Sequence, residues 1–152
     1  MKVVLLPEPR SRLKAALRRA GSREIGGVLM AEQVDVGQFK IVDFSVDAKT
    51  GGPAHFVRSP EHHAAALDDF FRRTGAAYSQ FNYLGEWHSH PKFPVYPSAQ
   101  DIQSMSSLVH GERGIDFALL LIVRLHWFVS LECSATFHAR RLSPQQIELR
   151  LE

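Results

Sequence analysis

The sequence predicts an α/β (α+β) fold in which a central mixed β-sheet is flanked by helices. Three observations support this prediction. Short runs rich in apolar and β-branched residues alternate with segments of helical periodicity. Glycine and proline mark most junctions between them. The chain has 152 residues, 45% of them hydrophobic and 22% charged, which suits one core but not two. We therefore expect a single domain over residues 1–152.

The first half of the chain is expected to contain three strands and two helices. The expected strands are "KVVLLP" (2–7), "EIGGVLMAEQV" (24–34) and "GQFKIVDFSVDA" (37–48), the last two paired as a hairpin. The expected helices are "PEPRSRLKAALRRAG" (7–21), with Gly21 as its C-cap, and "SPEHHAAALDDFFRRTG" (59–75), with Ser59 as its N-cap. Between them, "KTGGPAHFVRS" (49–59) is expected to be a loop leading into a short strand.

In the second half, a strand is followed by a loop, a helix and further strands. The strand is "FNYLGEWHSHP" (81–91), the loop is "KFPVYP" (92–97), and the helix is "SAQDIQSMSSLVHG" (98–111). We expect two strands in "DFALLLIVRLHWFVSLE" (116–132) and a third in "CSATFHARRL" (133–142). The last stretch, "SPQQIELRLE" (143–152), is expected to form a short helix or a tail.

Charge and composition argue against several classes of protein. The net charge is +2 and the basic residues are scattered, so nucleic acid is not the expected partner. The longest apolar run, "FALLLIV", is too short to span a membrane. The single cysteine, Cys133, cannot form an internal disulfide and is expected in or near the core. Because the N-terminal apolar stretch is too short for a signal sequence, we expect a cytoplasmic protein.

Two histidines separated by one residue are the strongest candidates for metal binding. Side chains alternate along a strand, so His88 and His90 should share a face, about 6.6 Å apart along the strand, with Trp87 and Ser89 on the opposite face. A catalytic zinc site needs three protein ligands and an open fourth position. Asp101 can supply the third ligand if loop 91–97 turns the chain back.

A second interpretation needs no metal. Ser98 and Asp101 form a Ser-x-x-Asp pattern before an amphipathic helix, which resembles a capping box with Asp in place of Glu or Gln. The histidine pair can also arise by chance in a chain with eight histidines. Spacing alone leaves both interpretations open, and both can hold for Ser98.

Glu24 is a candidate general base. It begins an otherwise apolar strand, where an unpartnered carboxylate is costly to bury. Beside a zinc ion, which lowers the pKa of a water that it binds toward about 7, a carboxylate can accept the proton and pass it on. Alternatively, Glu24 lies just outside the strand in solvent, or pairs with Arg23 or Lys40.

These residues together resemble the JAMM motif of the JAB/MPN metalloprotease family. The motif consists of a Glu at the head of a glycine-containing strand, then His-Ser-His-Pro, then Ser-x-x-Asp. The matching residues are Glu24, His88, Ser89, His90, Pro91, Ser98 and Asp101. The order of strands and helices is also similar over residues 1 to about 140, which implies an MPN-like domain.

The resemblance implies a role for each matching residue. His88, His90 and Asp101 would bind one zinc per chain, and Glu24 would deprotonate the attacking water. Ser98 would donate a hydrogen bond to the oxyanion of the tetrahedral intermediate. The implied reaction is hydrolysis of a peptide or isopeptide bond without a covalent intermediate.

Members of this family cleave after the C-terminal glycines of ubiquitin or ubiquitin-like proteins. The partner implied here is therefore a ubiquitin-like protein with a glycine tail, which can add as a strand to a sheet edge. Segment 49–59 and loop 92–97 are candidates for the walls of the groove. Phe93, Val95 and Tyr96 can contact the tail, or can pack only locally.

The chain lacks the sizeable insertions of eukaryotic deubiquitinating members. It looks more like the compact bacterial members that accompany ubiquitin-like conjugation enzymes in antiphage operons. Three alternatives remain: a sulfur-carrier-protein peptidase, a non-catalytic MPN scaffold that binds partners, and a nuclease-like relative. The complete motif argues against the scaffold, and the near-neutral charge argues against the nuclease.

Overall fold

The computed structural model describes residues 1–47, 60–111 and 115–152, and these ranges contain three helices and eight strands. The strands are β1 (Lys2–Leu5), β2 (Gly26–Asp35), β3 (Gln38–Phe44), β4 (Phe81–Ser89), β5 (Phe117–His126), β6 (Ser130–Ala139), β7 (Gln145–Ile147) and β8 (Leu149–Leu151). The helices are α1 (Pro7–Ala20), α2 (Pro60–Arg73) and α3 (Ala99–His110).

The strands form one mixed sheet in the order β7-β6-β5-β4-β2-β3-β1-β8. Strand β4 lies near the middle, antiparallel to β2 and parallel to β5. The predicted hairpin of β2 and β3 is confirmed, and β1 pairs in parallel with both β3 and β8. The predicted fold class, a mixed sheet flanked by helices, is therefore confirmed.

The helices cover opposite faces of the sheet, as the alternation of side chains in β5 shows. Leu119, Leu121 and Val123 pack in one apolar cluster with Leu13, Ala16 and Leu17 of α1. Ala118, Leu120 and Ile122 pack on the other face with Met105 and Val109 of α3. Helix α2 packs on this second face through Phe70. Among the helices of the described ranges, none has the length and apolarity required to cross a membrane.

Strand β4 contains an irregularity in its pairing with β2. Leu29 pairs with Gly85, but the next residue, Met30, pairs with Tyr83, so that Leu84 is bypassed. In a regular strand, residues three positions apart face opposite sides of the sheet. Because of the bulge, Leu84 and Trp87 both lie in the apolar cluster on the α1 side. Tyr83 packs on the α2 and α3 side. The bulge therefore changes which face each later residue of β4 occupies.

The structure corrects two predictions for the C-terminal part of the chain. Segment 133–142 is not a third strand, because most of it belongs to β6, which runs unbroken from Ser130 to Ala139. The stretch 143–152 is not a helix or a tail, since it forms β7 and β8. Apolar and polar residues alternate in "IELRL", and this two-residue period is typical of a strand and not of a helix. Loop 49–59 and the Ser59 cap lie outside the described residues.

Gly85 allows β4 and β5 to approach closely. A Cβ atom at this position would lie 1.9 Å from the carbonyl oxygen of Leu119, a backbone atom that cannot move aside alone. We expect Gly85→Ala to lower the free energy of unfolding by about 3 kcal/mol or more. Gly37→Ala is the control, because φ at Gly37 is 68° and no atom lies nearby, so that a loss of only about 1 kcal/mol is expected. Urea unfolding measures both, and equal losses would contradict the steric argument.

Candidate metal centre

His88 near the end of β4 and His90 directly after it lie on the α2 and α3 side of the sheet, and contacts on the other face hold their backbone. Trp87 and Ser89 point to the opposite face, as alternation predicts, and both are fully buried. The indole Nε1 of Trp87 donates to the carbonyl oxygen of Ser45 at 2.8 Å. The hydroxyl oxygen of Ser89 accepts from the backbone N–H of Ile25 at 3.0 Å. These contacts hold the backbone that carries the two histidines.

Both histidines meet Asp101 in one compact cluster. The Nε2 atoms of His88 and His90 lie 3.1 Å apart. Oδ1 of Asp101 lies 3.2 Å from Nε2 of His88, and Oδ2 lies 3.6 Å from Nε2 of His90. Both histidines are buried, and Asp101 is half-buried. In the described part of the chain, no other group of three such ligand-type residues comes together.

The loop after β4 orients the second histidine. Nδ1 of His90 lies 2.9 Å from the carbonyl oxygen of Pro94, and because a carbonyl can only accept, Nδ1 must carry the proton and donate. The lone pair of Nε2 is then directed into the cluster in the neutral ring. Backbone carbonyls hold metal-ligating histidines in this way in many proteins.

The capping box predicted as an alternative to the metal site is also present. The Ser98 hydroxyl oxygen accepts from the Asp101 backbone N–H at 3.1 Å, and Oδ2 of Asp101 accepts from the Ser98 backbone N–H at 2.7 Å. Because the Ser98 oxygen acts here as an acceptor, its O–H remains able to donate elsewhere. The cap and the His-His-Asp cluster therefore coexist, and the cap holds the Asp101 carboxylate beside the histidines.

The electrostatics of the cluster favour an ionised carboxylate. Burial alone would raise the pKa of Asp101, but hydrogen bonds with His88 and His90 outweigh it and hold this pKa far below its ordinary value. Burial would likewise lower the pKa of His90, but the hydrogen bonds with Asp101 and Pro94 outweigh it and raise this pKa. The negative charge of Glu24 acts on His90 in the same direction. The Asp101 carboxylate is therefore held in its ionised form, which is the form that can bind a metal ion.

Glu24 lies just before β2, as one of the alternatives supposed, but it is buried and not solvated. Gly26 pairs with His88, and the backbone N–H of Ser89 donates to the carbonyl oxygen of Ile25 at 2.8 Å. Continuing this register places Glu24 opposite His90. The structure therefore brings the predicted base to the same end of the sheet as the cluster.

The three loop residues proposed to contact a substrate tail differ in their surroundings. Val95 packs against the cluster of apolar side chains around α3, and its carbonyl oxygen accepts from the Ser134 hydroxyl. Phe93 is exposed, with its ring centroid 6.4 Å from that of His90. Tyr96 is 68% exposed. Phe93 is therefore accessible beside the cluster and Tyr96 is accessible in the same loop, whereas Val95 packs locally.

One buried carboxylate near the cluster was not singled out from the sequence. Glu86 shares a strand face with His88, two positions away, and is only 8% exposed between Val28 and Leu120 on the neighbouring strands. The signal was present in "GEWHSH", because every second residue of that stretch is ionisable. Cys133, by contrast, has no nucleophilic character, since burial raises the pKa of its thiol to about 11.

The cluster fits a zinc ion in both chemistry and size. Two imidazole nitrogens and one carboxylate oxygen are a donor set of catalytic zinc sites, which leave the fourth position open. Ligand atoms about 2.0–2.1 Å from a tetrahedral zinc ion lie about 3.3 Å from one another. The His88–His90 separation of 3.1 Å and the separation of 3.2 Å between Nε2 of His88 and Oδ1 of Asp101 are close to this value, while the other carboxylate oxygen, Oδ2, lies 3.6 Å from Nε2 of His90. Binding would need little movement of these side chains.

Comparison with known proteins identifies the family. Residues 8–141 match the family described as prokaryotic homologs of the JAB domain, and the chain belongs to this family. A solution structure of protein DSY2949 from Desulfitobacterium hafniense superimposes with a TM-score of 0.73 and 23% sequence identity. That match covers 99% of this chain and 92% of the other, and it supports the fold alone.

A curated relative matches a shorter part of the chain. It is a CD-NTase/cGAS isopeptidase from Vibrio cholerae serotype O1 (strain ATCC 39315 / El Tor Inaba N16961), 36% identical over 62 residues. The match covers 41% of this chain and only 36% of the relative's length. The resemblance to the JAB/MPN family inferred from the motif is thus confirmed over most of the chain.

Proposed function

We propose that this chain is a zinc-dependent peptidase or isopeptidase that cleaves after the C-terminal glycine of a ubiquitin-like protein. The observation that carries the proposal is the convergence of His88, His90 and Asp101, with Glu24 buried at the same end of the sheet and its charge acting on His90. Membership of the JAB family and the isopeptidase name of the Vibrio relative support it. We further propose that the enzyme acts in the cytoplasm, in a bacterial ubiquitin-like conjugation pathway of the antiphage kind, as the resemblance to compact bacterial members implies.

Each residue has a distinct part in the proposed reaction. A zinc ion held by His88, His90 and Asp101 would supply a Lewis acid and make water more acidic at the site. Glu24 accepts a proton from the attacking water and passes it to the leaving amine. The free O–H of Ser98 donates to the oxyanion that forms at the scissile carbonyl. Exposed Phe93 and Tyr96 border the path of the glycine tail.

Elemental analysis of the purified protein tests the metal first. We expect about one zinc per chain in the wild type, because the three ligands are held before metal arrives, and less than a tenth of that in His88→Ala. Cleavage of ubiquitin-like fusions should then stop on adding a chelator and return with zinc. His110→Ala is the control, since His110 lies at the end of α3 and bonds there to the carbonyl oxygen of Ser106. Full occupancy in His88→Ala would refute the site.

The substrates used in the cleavage assay separate the main alternatives. A ubiquitin-like protein joined through its C-terminal glycine to a lysine side chain tests isopeptidase activity. A sulfur-carrier protein with a short C-terminal extension tests processing of a precursor. Zinc binding without cleavage of either substrate would favour the non-catalytic scaffold.

Ser98→Ala is expected to slow turnover by about ten- to a thousandfold, because one oxyanion donor is lost. It also removes the cap of α3, which costs about 1 kcal/mol of folding free energy. Ser98→Thr keeps both the hydroxyl donor and the cap, and should retain most activity. Steady-state kinetics and thermal melts of both variants separate the two effects. Wild-type turnover in Ser98→Ala would exclude the oxyanion role.

A further inference from the structure

A groove of about 280 Å³ lies on the α1 side of the sheet, opposite the face that carries the candidate metal centre. Its apolar wall is formed by Leu17 near the end of α1 and by Leu125 and Phe128 at the end of β5 and in the turn that follows. Its floor includes Ser89 and Pro91, the two neighbours of His90 in the chain. The groove and the histidines therefore lie at the same end of β4, on opposite faces of the sheet.

The charged residues of the groove are all cationic. Arg23, Lys92 and Arg124 line it, and no Asp or Glu does. Arg124 already bonds Glu132 and the carbonyl oxygen of Phe93. Lys92 is exposed and forms no ion pair with any carboxylate of the described residues. Lys92 therefore offers positive charge without an ion-pair partner among the described residues, next to apolar surface.

The turn between β5 and β6 adds exposed aromatic surface to one rim of the groove. Trp127 is 81% exposed, Phe128 71% and Val129 63%. The first two have positive φ angles of 51° and 59°, a conformation that costs roughly 1–2 kcal/mol for residues other than glycine. Nε of Arg18 donates to the carbonyl oxygen of Phe128 at 3.1 Å and ties the turn to α1. Contiguous exposed apolar side chains of this kind mark interaction surfaces.

We propose that this groove and the 127–129 turn bind an acidic stretch of the protein substrate that also carries an apolar side chain. This inference rests on the proposed function, because only a peptidase would bind this stretch as part of its substrate. A glycine tail cannot be this occupant, because it has no side chains to fill the volume or to pair with Lys92. The stretch therefore lies elsewhere on the substrate. Its carboxylates contact Lys92, and its apolar side chain packs between Leu125 and Phe128.

Peptide binding tests the groove without requiring any cleavage. The probes are fluorescent peptides in which Glu and Asp flank one Leu, with a matched peptide carrying Lys in place of the acids. Anisotropy at low salt should show the wild type binding the acidic peptide at least about tenfold more tightly than the basic one. Lys92→Glu should abolish this preference. Lys2→Glu makes the same change of charge on β1, three strands away from β4, and should keep the preference.

Cleavage kinetics then tie the groove to the substrate. For an acidic protein substrate, Lys92→Glu should raise KM by about tenfold and leave kcat unchanged, because uniform binding is lost. If the wild type cleaves the substrate but does not prefer the acidic peptide, the inference about the groove is overturned and the proposed function stands. If the wild type binds the acidic peptide, Lys92→Glu loses that binding, and no substrate is cleaved, the proposed function is contradicted instead. Tighter binding of a short single-stranded oligonucleotide than of the acidic peptide would also overturn the inference.

Discussion

Replacing Glu24 by Gln is expected to lower turnover by about 10²- to 10⁴-fold or more, while zinc content stays at the wild-type level. The amide has nearly the same shape as the carboxylate, so the buried position before β2 is preserved. It cannot accept a proton from the attacking water, and the step that forms the nucleophile is lost. Cleavage rates and elemental analysis on the same preparation measure both quantities.

Glu32→Gln is the matched control for this variant. Glu32 lies on β2, the strand that follows Glu24, and accepts a hydrogen bond from Gln80 at 3.0 Å, which the amide oxygen of a glutamine can still accept. Its turnover should therefore equal that of the wild type. If Glu24→Gln also turned over at the wild-type rate, Glu24 would be excluded as the base.

Replacing Asp101 by Ala is expected to weaken zinc binding by more than about a hundredfold, since even groups that only support a ligand contribute 10–100-fold. The change removes the anionic member of the cluster and leaves two histidines facing each other. Titration with zinc in the presence of a competing chelator measures the affinity. Retention of wild-type affinity would exclude Asp101 as a ligand.

Loss of the helix cap is the competing explanation for the Asp101 variant. Asp101→Asn separates the two effects, because its amide oxygen can still accept from the Ser98 backbone N–H while the negative charge is gone. We expect this variant to melt near the wild-type temperature and still bind zinc weakly. Asp68→Ala, an exposed change on α2, should alter neither property.

The core of the candidate site could be predicted because each part depends on local pattern. Alternation along a strand places His88 and His90 on one face, and the Ser-x-x-Asp pattern begins a helix. The sequence could not choose between cap and metal ligand for Asp101, because that depends on how far loop 91–97 folds back. The structure shows that the Asp101 carboxylate accepts from the Ser98 backbone N–H through Oδ2 while Oδ1 lies 3.2 Å from Nε2 of His88, so the cap and the cluster are compatible.

Features that depend on distant parts of the chain were harder to predict from the sequence. The bond from His90 to the carbonyl oxygen of Pro94 fixes a ring orientation that no sequence pattern encodes. Strand β8 was missed because its partner, β1, lies at the other end of the sequence. The cationic groove joins residues from α1, β5 and the loop after β4, which only the folded chain brings together.

The bulge at Leu84 has a consequence for moving this site into another protein. Before the bulge, Tyr83 faces the α2 and α3 side at an odd position; after it, His88 faces that side at an even position. A regular strand that copied the whole of β4 would therefore turn one half of its side chains the wrong way. A graft that begins at Gly85 avoids this conflict, because the orientation of both histidines is set from that residue onward.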